Sequence, residues 1–83
     1  MAKAEKLKRP KERMPAFVRK ALEKRRLRDA YAERPPYQRN DYVSWINRAK
    51  LDATRQKRLE QMLDELGAGN VYMNMAWRPP KAR

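Results

Sequence analysis

Apolar positions recur with helical period over residues 42–66, YVSWINRAKLDATRQKRLEQMLDEL. Tyr42, Trp45, Ile46 and Ala49 fall at i, i+3, i+4 and i+7, which places them on one face of a helix. Leu59, Met62, Leu63 and Leu66 repeat that spacing further on. Leu51-Asp52 makes the corner between the two. A short carboxylate at Asp52 suits capping of the second helix, because it accepts free N–H groups of the first turn. Gly67 is expected to supply the left-handed residue that ends it.

Upstream the pattern is weaker. Phe17, Val18, Ala21 and Leu22 give one apolar side, and Met14-Pro15 opens a helix, since proline at the first helical position lacks only an N–H that is not needed. Beyond Leu22 the phase slips, and Leu27, Ala30 and Tyr31 lie on another face. Two short helices with a kink in KRRLR are expected; one continuous helix is the alternative. Pro35-Pro36 ends the segment, because a residue before proline is pushed out of helical conformation. The spacing therefore predicts helices at about 15–25, 27–33, 37–50 and 53–66. They should form one helical domain over residues 15–70, between a basic flexible arm (1–14) and an extended or disordered tail (71–83). Within the tail, VYMNMAW alternates Val71, Met73, Met75 and Trp77 with Tyr72, Asn74 and Ala76. That is strand period. With no second strand in sight, an extended segment over the helices is expected.

The expected fold class is all-α: a small bundle of three to four short helices. Trp45, Ile46, Leu59, Met62, Leu63 and Leu66 should form its centre, with Phe17, Leu22 and Tyr31 closing over them. On that reading Trp45→Ala would unfold the domain.

Composition changes the picture in two ways. First, the 83 residues include no Cys and no His, so disulfides, thiol chemistry and a zinc staple are excluded. The commonest general base is missing too, and Ser44, the one serine, has no evident activating base. No glycine-rich phosphate loop is present. Neither an enzyme nor a cofactor is expected. Second, the net charge of +12 is unevenly spread. Residues 1–34 carry 13 Lys/Arg against 5 Asp/Glu, whereas residues 35–70 carry 6 against 5. Such a distribution suits a nucleic acid, an anionic surface or an acidic protein. No apolar run could span a bilayer and no secretory h-region follows the basic start, so a cytoplasmic location is expected.

Three constellations are candidates for binding. Lys8, Arg9, Lys11, Arg13, Arg19, Lys20, Lys24, Arg25, Arg26 and Arg28 could follow a phosphate backbone, with affinity that falls steeply as salt rises. Thr54, Arg55, Lys57 and Arg58 crowd the start of the last helix, while Glu60, Asp64 and Glu65 sit towards its end. The helix dipole favours the reverse order. A cationic helix start would hold a phosphate or carboxylate, or Arg55 and Arg58 lie along the apolar border and pair with Asp41 or Asp52. The helix pair could also act as a DNA-binding helix-turn-helix, with Gln56, Lys57 and Gln61 reaching the duplex. Met73, Met75 and Trp77 form an adaptable apolar strip for a partner, or complete the small core.

One family shares several of these residues. The stretch 37–70 resembles the C-terminal helical module of the YdeI/OmpD-associated proteins, often labelled bacteriocin-protection proteins. The matching positions are Tyr42, Trp45-Ile46, Ala49-Lys50, Thr54-Arg55, Arg58-Leu59 and Leu66-Gly67. PAFVRKAL and LRDAYAERPP fit its preceding short helices, so the likeness covers about residues 15–70. Ala53 departs from the pattern, which usually has Glu before the Thr-Arg pair. Larger members carry a further domain upstream, which the present sequence does not include. The resemblance implies an all-helical, non-catalytic module linked to tolerance of bacteriocins or other envelope stress.

The leading functional expectation is a binding module that engages a polyanion (RNA, DNA or the ribosome) through its basic arm. The rival is a protein-interaction module for bacteriocin or envelope-stress tolerance, with an acidic or envelope protein as partner. In that case the Met/Trp tail or a helix face makes the contact.

Overall fold

Pro15 and the Pro35-Pro36 pair set where helices begin. In a computed structural model, which describes residues 13–78, both Pro15 and Pro35 are extended and act as N-caps. The expected arm residues before 13 and the tail end after 78 lie outside the described residues. Four helices occur among the described residues: α1 (Ala16–Lys24), α2 (Arg28–Ala32), α3 (Pro36–Arg48) and α4 (Asp52–Ala68). A small hairpin follows, with β1 (Val71–Tyr72) antiparallel to β2 (Met75–Ala76). The protein is thus mostly helical. None of the helices is long and apolar enough to cross a membrane among the described residues.

The break between α1 and α2 is a Schellman motif. Leu27 N–H bonds Leu22 O and Arg26 N–H bonds Glu23 O, which satisfies two carbonyls at the end of α1. Leu22 and Leu27 both pack into the core, as the motif's hydrophobic contact requires. The left-handed position falls on Arg26, with φ of 59°. That conformation costs a non-glycine residue roughly 1–2 kcal/mol. Glycine's greater freedom in the unfolded chain returns about 0.5–1 kcal/mol of that. Arg26→Gly should therefore stabilise the fold by about 0.5–1 kcal/mol, read as a higher denaturation midpoint at unchanged slope. An unchanged or lower midpoint would contradict this account of the turn.

α3 and α4 form the main helix pair, and α1 and α2 close over it. The buried cluster comprises Val18, Leu22, Tyr42, Ile46, Leu59, Met62, Leu63 and Leu66. Two expected core residues are displaced. Trp45 is half-buried and flanks the cluster, because it lies on the border of the α3 stripe while Tyr42 and Ile46 hold its centre. Phe17 is exposed, and the neighbouring Val18 points inward instead. Tyr31 packs against the cluster as a partly buried neighbour.

Helix ends also differ from expectation. Asp52 is the first residue of α4 and not its cap; Leu51 takes the cap position without a side-chain bond. Gly67 stays helical, and Gly69, at φ of 85°, supplies the left-handed stop. The helix therefore runs one turn-fraction further than the first glycine suggests. The tail does find a partner strand, namely itself. Met73 and Asn74 both take positive φ, 51° and 65°, as a two-residue primed hairpin turn demands. Tyr72 then stands directly opposite Met75, so the two share a face that simple alternation had separated.

Candidate functional site

The seam between α3 and α4 explains the arginines at the start of α4. Ala49 leaves helical conformation, and its N–H bonds Ile46 O rather than Trp45 O. The Trp45 carbonyl is thereby left without its helical donor. Arg58 Nη1 donates to that carbonyl at 2.6 Å, and its guanidinium lies 5.2 Å from the centre of the Trp45 ring. Arg55 Nη2 donates to Ala49 O at 2.7 Å, and its Nη1 pairs with Asp52 at 3.0 Å. These cations sit badly for the dipole of α4 but well for the C-terminal end of α3. Both arginines are engaged inside the fold; Thr54 is half-buried beside them and Lys57 is exposed.

A second polar cluster joins the α2–α3 turn, α3, α4 and the tail, and periodicity gives no hint of it. Arg34, only 4% exposed, donates Nη1 to Gln38 Oε1 and Nη2 to Glu65 O, both at 3.0 Å. Gln38 is fully buried and passes its own Nε2 hydrogen to the Tyr37 hydroxyl. The Glu65 carboxylate receives four donors. On Oε1 these are the Tyr42 hydroxyl and the Met73 amide; on Oε2 they are Gln61 Nε2 and the Asn74 amide. Burial pushes the Glu65 carboxyl up, but the Tyr42 hydroxyl, the Asn74 and Met73 amides and Gln61 outweigh it and hold the group below the usual glutamate value. Tyr42 moves the other way. Burial first, then the hydrogen bond and negative charge of Glu65, keep its phenol well above the ordinary range.

The tail strip is placed by this cluster. Trp77 lies under the Arg34 guanidinium at 4.5 Å, Met73 packs on the core and Met75 is 55% exposed. Tyr72 meets the rings of Tyr37 and Tyr42 edge-on and donates its hydroxyl to Asp41.

The basic constellation divides differently. Lys8, Arg9 and Lys11 lie outside the described residues. Arg13, Arg19, Lys20, Lys24, Arg25, Arg26 and Arg28 are all exposed. Of these, Arg25 alone faces carboxylates among the described residues, Glu60 at 3.8 Å and Asp64 at 3.6 Å. Lys20 and Lys24 lie on the side of α1 opposite Val18 and Leu22, Arg19 lies on its flank, and Arg26 and Arg28 continue from its end. The structure thus sorts the arginines into some engaged by other groups of the fold and others that are exposed with no ion pair among the described residues.

Fold and site together define a small all-α module, with α3 closed by two arginines and a tail strapped over a buried carboxylate. A family model described as OmdA, "Bacteriocin-protection, YdeI or OmpD-Associated", matches residues 13–69, more than half of the chain. The chain belongs to this family. Searches of curated proteins and of solved structures find no match.

Proposed function

We propose that this chain is a non-catalytic binding module that takes a macromolecular polyanion, such as RNA, DNA or a ribosomal surface. It does so on the free face of α1 and the corner that follows. The observation that carries this reading is the contrast among its cations. Arg25, Arg34, Arg55 and Arg58 are occupied within the fold, whereas Arg19, Lys20, Lys24, Arg26 and Arg28 face solvent with no ion pair among the described residues. A run of unneutralised cations on one helix and its exit releases counterions when it meets phosphates. Lys8, Arg9 and Lys11, a few residues upstream in sequence, extend the same charge.

Fluorescence anisotropy of labelled RNA and DNA, titrated across a salt series, tests it. The native chain should bind near physiological salt, with log affinity falling linearly against log salt. Arg19→Glu, Lys20→Glu and Lys24→Glu together should reduce that slope by roughly 2–3, one phosphate contact for each position. All three side chains are exposed, so the thermal melt should be preserved. Absence of binding to any nucleic acid at physiological salt would overturn the proposal and leave the protein-partner reading standing.

A further inference from the structure

The tail hairpin lies against the helical body, and we propose that the seat it covers, a groove once the tail lifts, is a peptide-recognition site with the tail as its resident occupant. The partner it fits is a polypeptide hairpin that offers two successive backbone N–H groups at its turn. That hairpin also carries a tyrosine just before the turn and a flat aromatic ring five residues after the tyrosine.

Four observations carry this. The family match covers residues 13–69, so the hairpin lies beyond the matched body yet docks on residues within it. The floor is polar: Arg34, Gln38, Tyr42 and Glu65 are all buried, and Asp41 stands at its edge. Buried charges add little to stability when paired, but they discriminate strongly between partners that do and do not satisfy them. The occupant, by contrast, is shallow. Val71, Tyr72, Met73 and Trp77 are half-buried, Asn74, Met75 and Ala76 exposed, and a two-stranded hairpin is not stable alone. Finally, each anchor is specific in type. Glu65 reads the main chain of the turn through the Met73 and Asn74 amides. Asp41 reads the Tyr72 hydroxyl and Arg34 reads the Trp77 ring.

A hairpin held this way opens locally. When it leaves, water replaces the two amides on Glu65 and the helical core stays packed. The site then accepts a hairpin presented by another chain. This is separate from the basic face of α1, and either reading can fail without the other.

Two measurements on the full chain test the inference. In the native protein, the Met73 and Asn74 amides should exchange with deuterated water at least about 100-fold faster than those of Met62 and Leu63. Exchange at the same rate would make the hairpin part of one cooperative unit and overturn the proposal. In the second, Tyr72→Ala with Trp77→Ala empties the groove, and a labelled nine-residue peptide of sequence NVYMNMAWR is added. The peptide should bind this variant at least 10-fold more tightly than it binds the native chain, and a version with phenylalanine for its tyrosine should bind more weakly. No binding to a variant that still melts cooperatively would overturn it. Should the variant fail to fold, the exchange experiment decides alone.

Discussion

Tyr42→Ala should abolish cooperative folding. Tyr42 is the largest of the fully buried side chains, and it sits where α3, α4 and the tail meet. Truncating a buried aromatic costs about 3–5 kcal/mol through lost transfer energy and the cavity left behind. The change also takes one of four donors from a buried carboxylate, an added cost of about 1–3 kcal/mol. A domain of this size has a total stability of roughly 3–10 kcal/mol. The expected result is a sloping thermal trace by circular dichroism and amide signals collapsed into the unfolded range. Trp45→Ala is the control: Trp45 is half-buried at the seam, so that variant should melt cooperatively at a reduced temperature. A sharp transition near the native one for Tyr42→Ala would show that the centre of the core lies elsewhere.

Glu65→Gln should cost about 2–3 kcal/mol at neutral pH, because four charge-assisted bonds become neutral and one amide hydrogen is set against a donor. In a domain of this length that lowers Tm by roughly 8–24 °C. The pH dependence makes the test specific. The folded-state pKa of Glu65 is depressed, so the stability it lends is complete above the unfolded value and drains away as pH falls through the folded one. The native and Glu65→Gln chains should therefore differ by a constant amount near neutrality and converge below roughly pH 5. Tyr42 works in the opposite direction: its raised pKa means stability is lost as pH climbs past the ordinary phenol value of 10.0. Parallel acid limbs for the native and Glu65→Gln chains would rule out Glu65 as the titrating hub.

How much of this was readable from sequence depends on the kind of signal involved. Leu59, Met62, Leu63 and Leu66 were legible because a helical stripe buries residues of one type at one period. The helix starts at the prolines were legible because backbone chemistry is local, and the break near Arg26 because the apolar phase slips beyond Leu22. The borders were not. Phe17 and Val18, or Trp45 and Ile46, are adjacent apolar residues, and only the packing partner decides which of each pair turns inward. Arg55 and Arg58 stood out as misplaced for α4, but their reason belongs to α3, whose last turn ends early at Ala49. Arg34 and Glu65 gave no signal at all. They look like any charged helix residue, and they become buried only through partners 31 positions apart in the chain. The hairpin was hidden for a related reason: its turn lacks glycine, and Glu65 stabilises it from outside the segment.

The two indoles of the chain divide its folding into separately visible parts. Trp45 lies under Arg58 at the α3–α4 seam, and Trp77 lies under Arg34 on the tail. With Trp45→Phe, all tryptophan emission comes from the hairpin; with Trp77→Phe, all of it comes from the helical body. Two emission curves that part company on heating would display a lid detaching from an intact body. Curves that superimpose would display one transition. Each tryptophan is thus a native optical reporter, already stacked on the cation whose departure it would register.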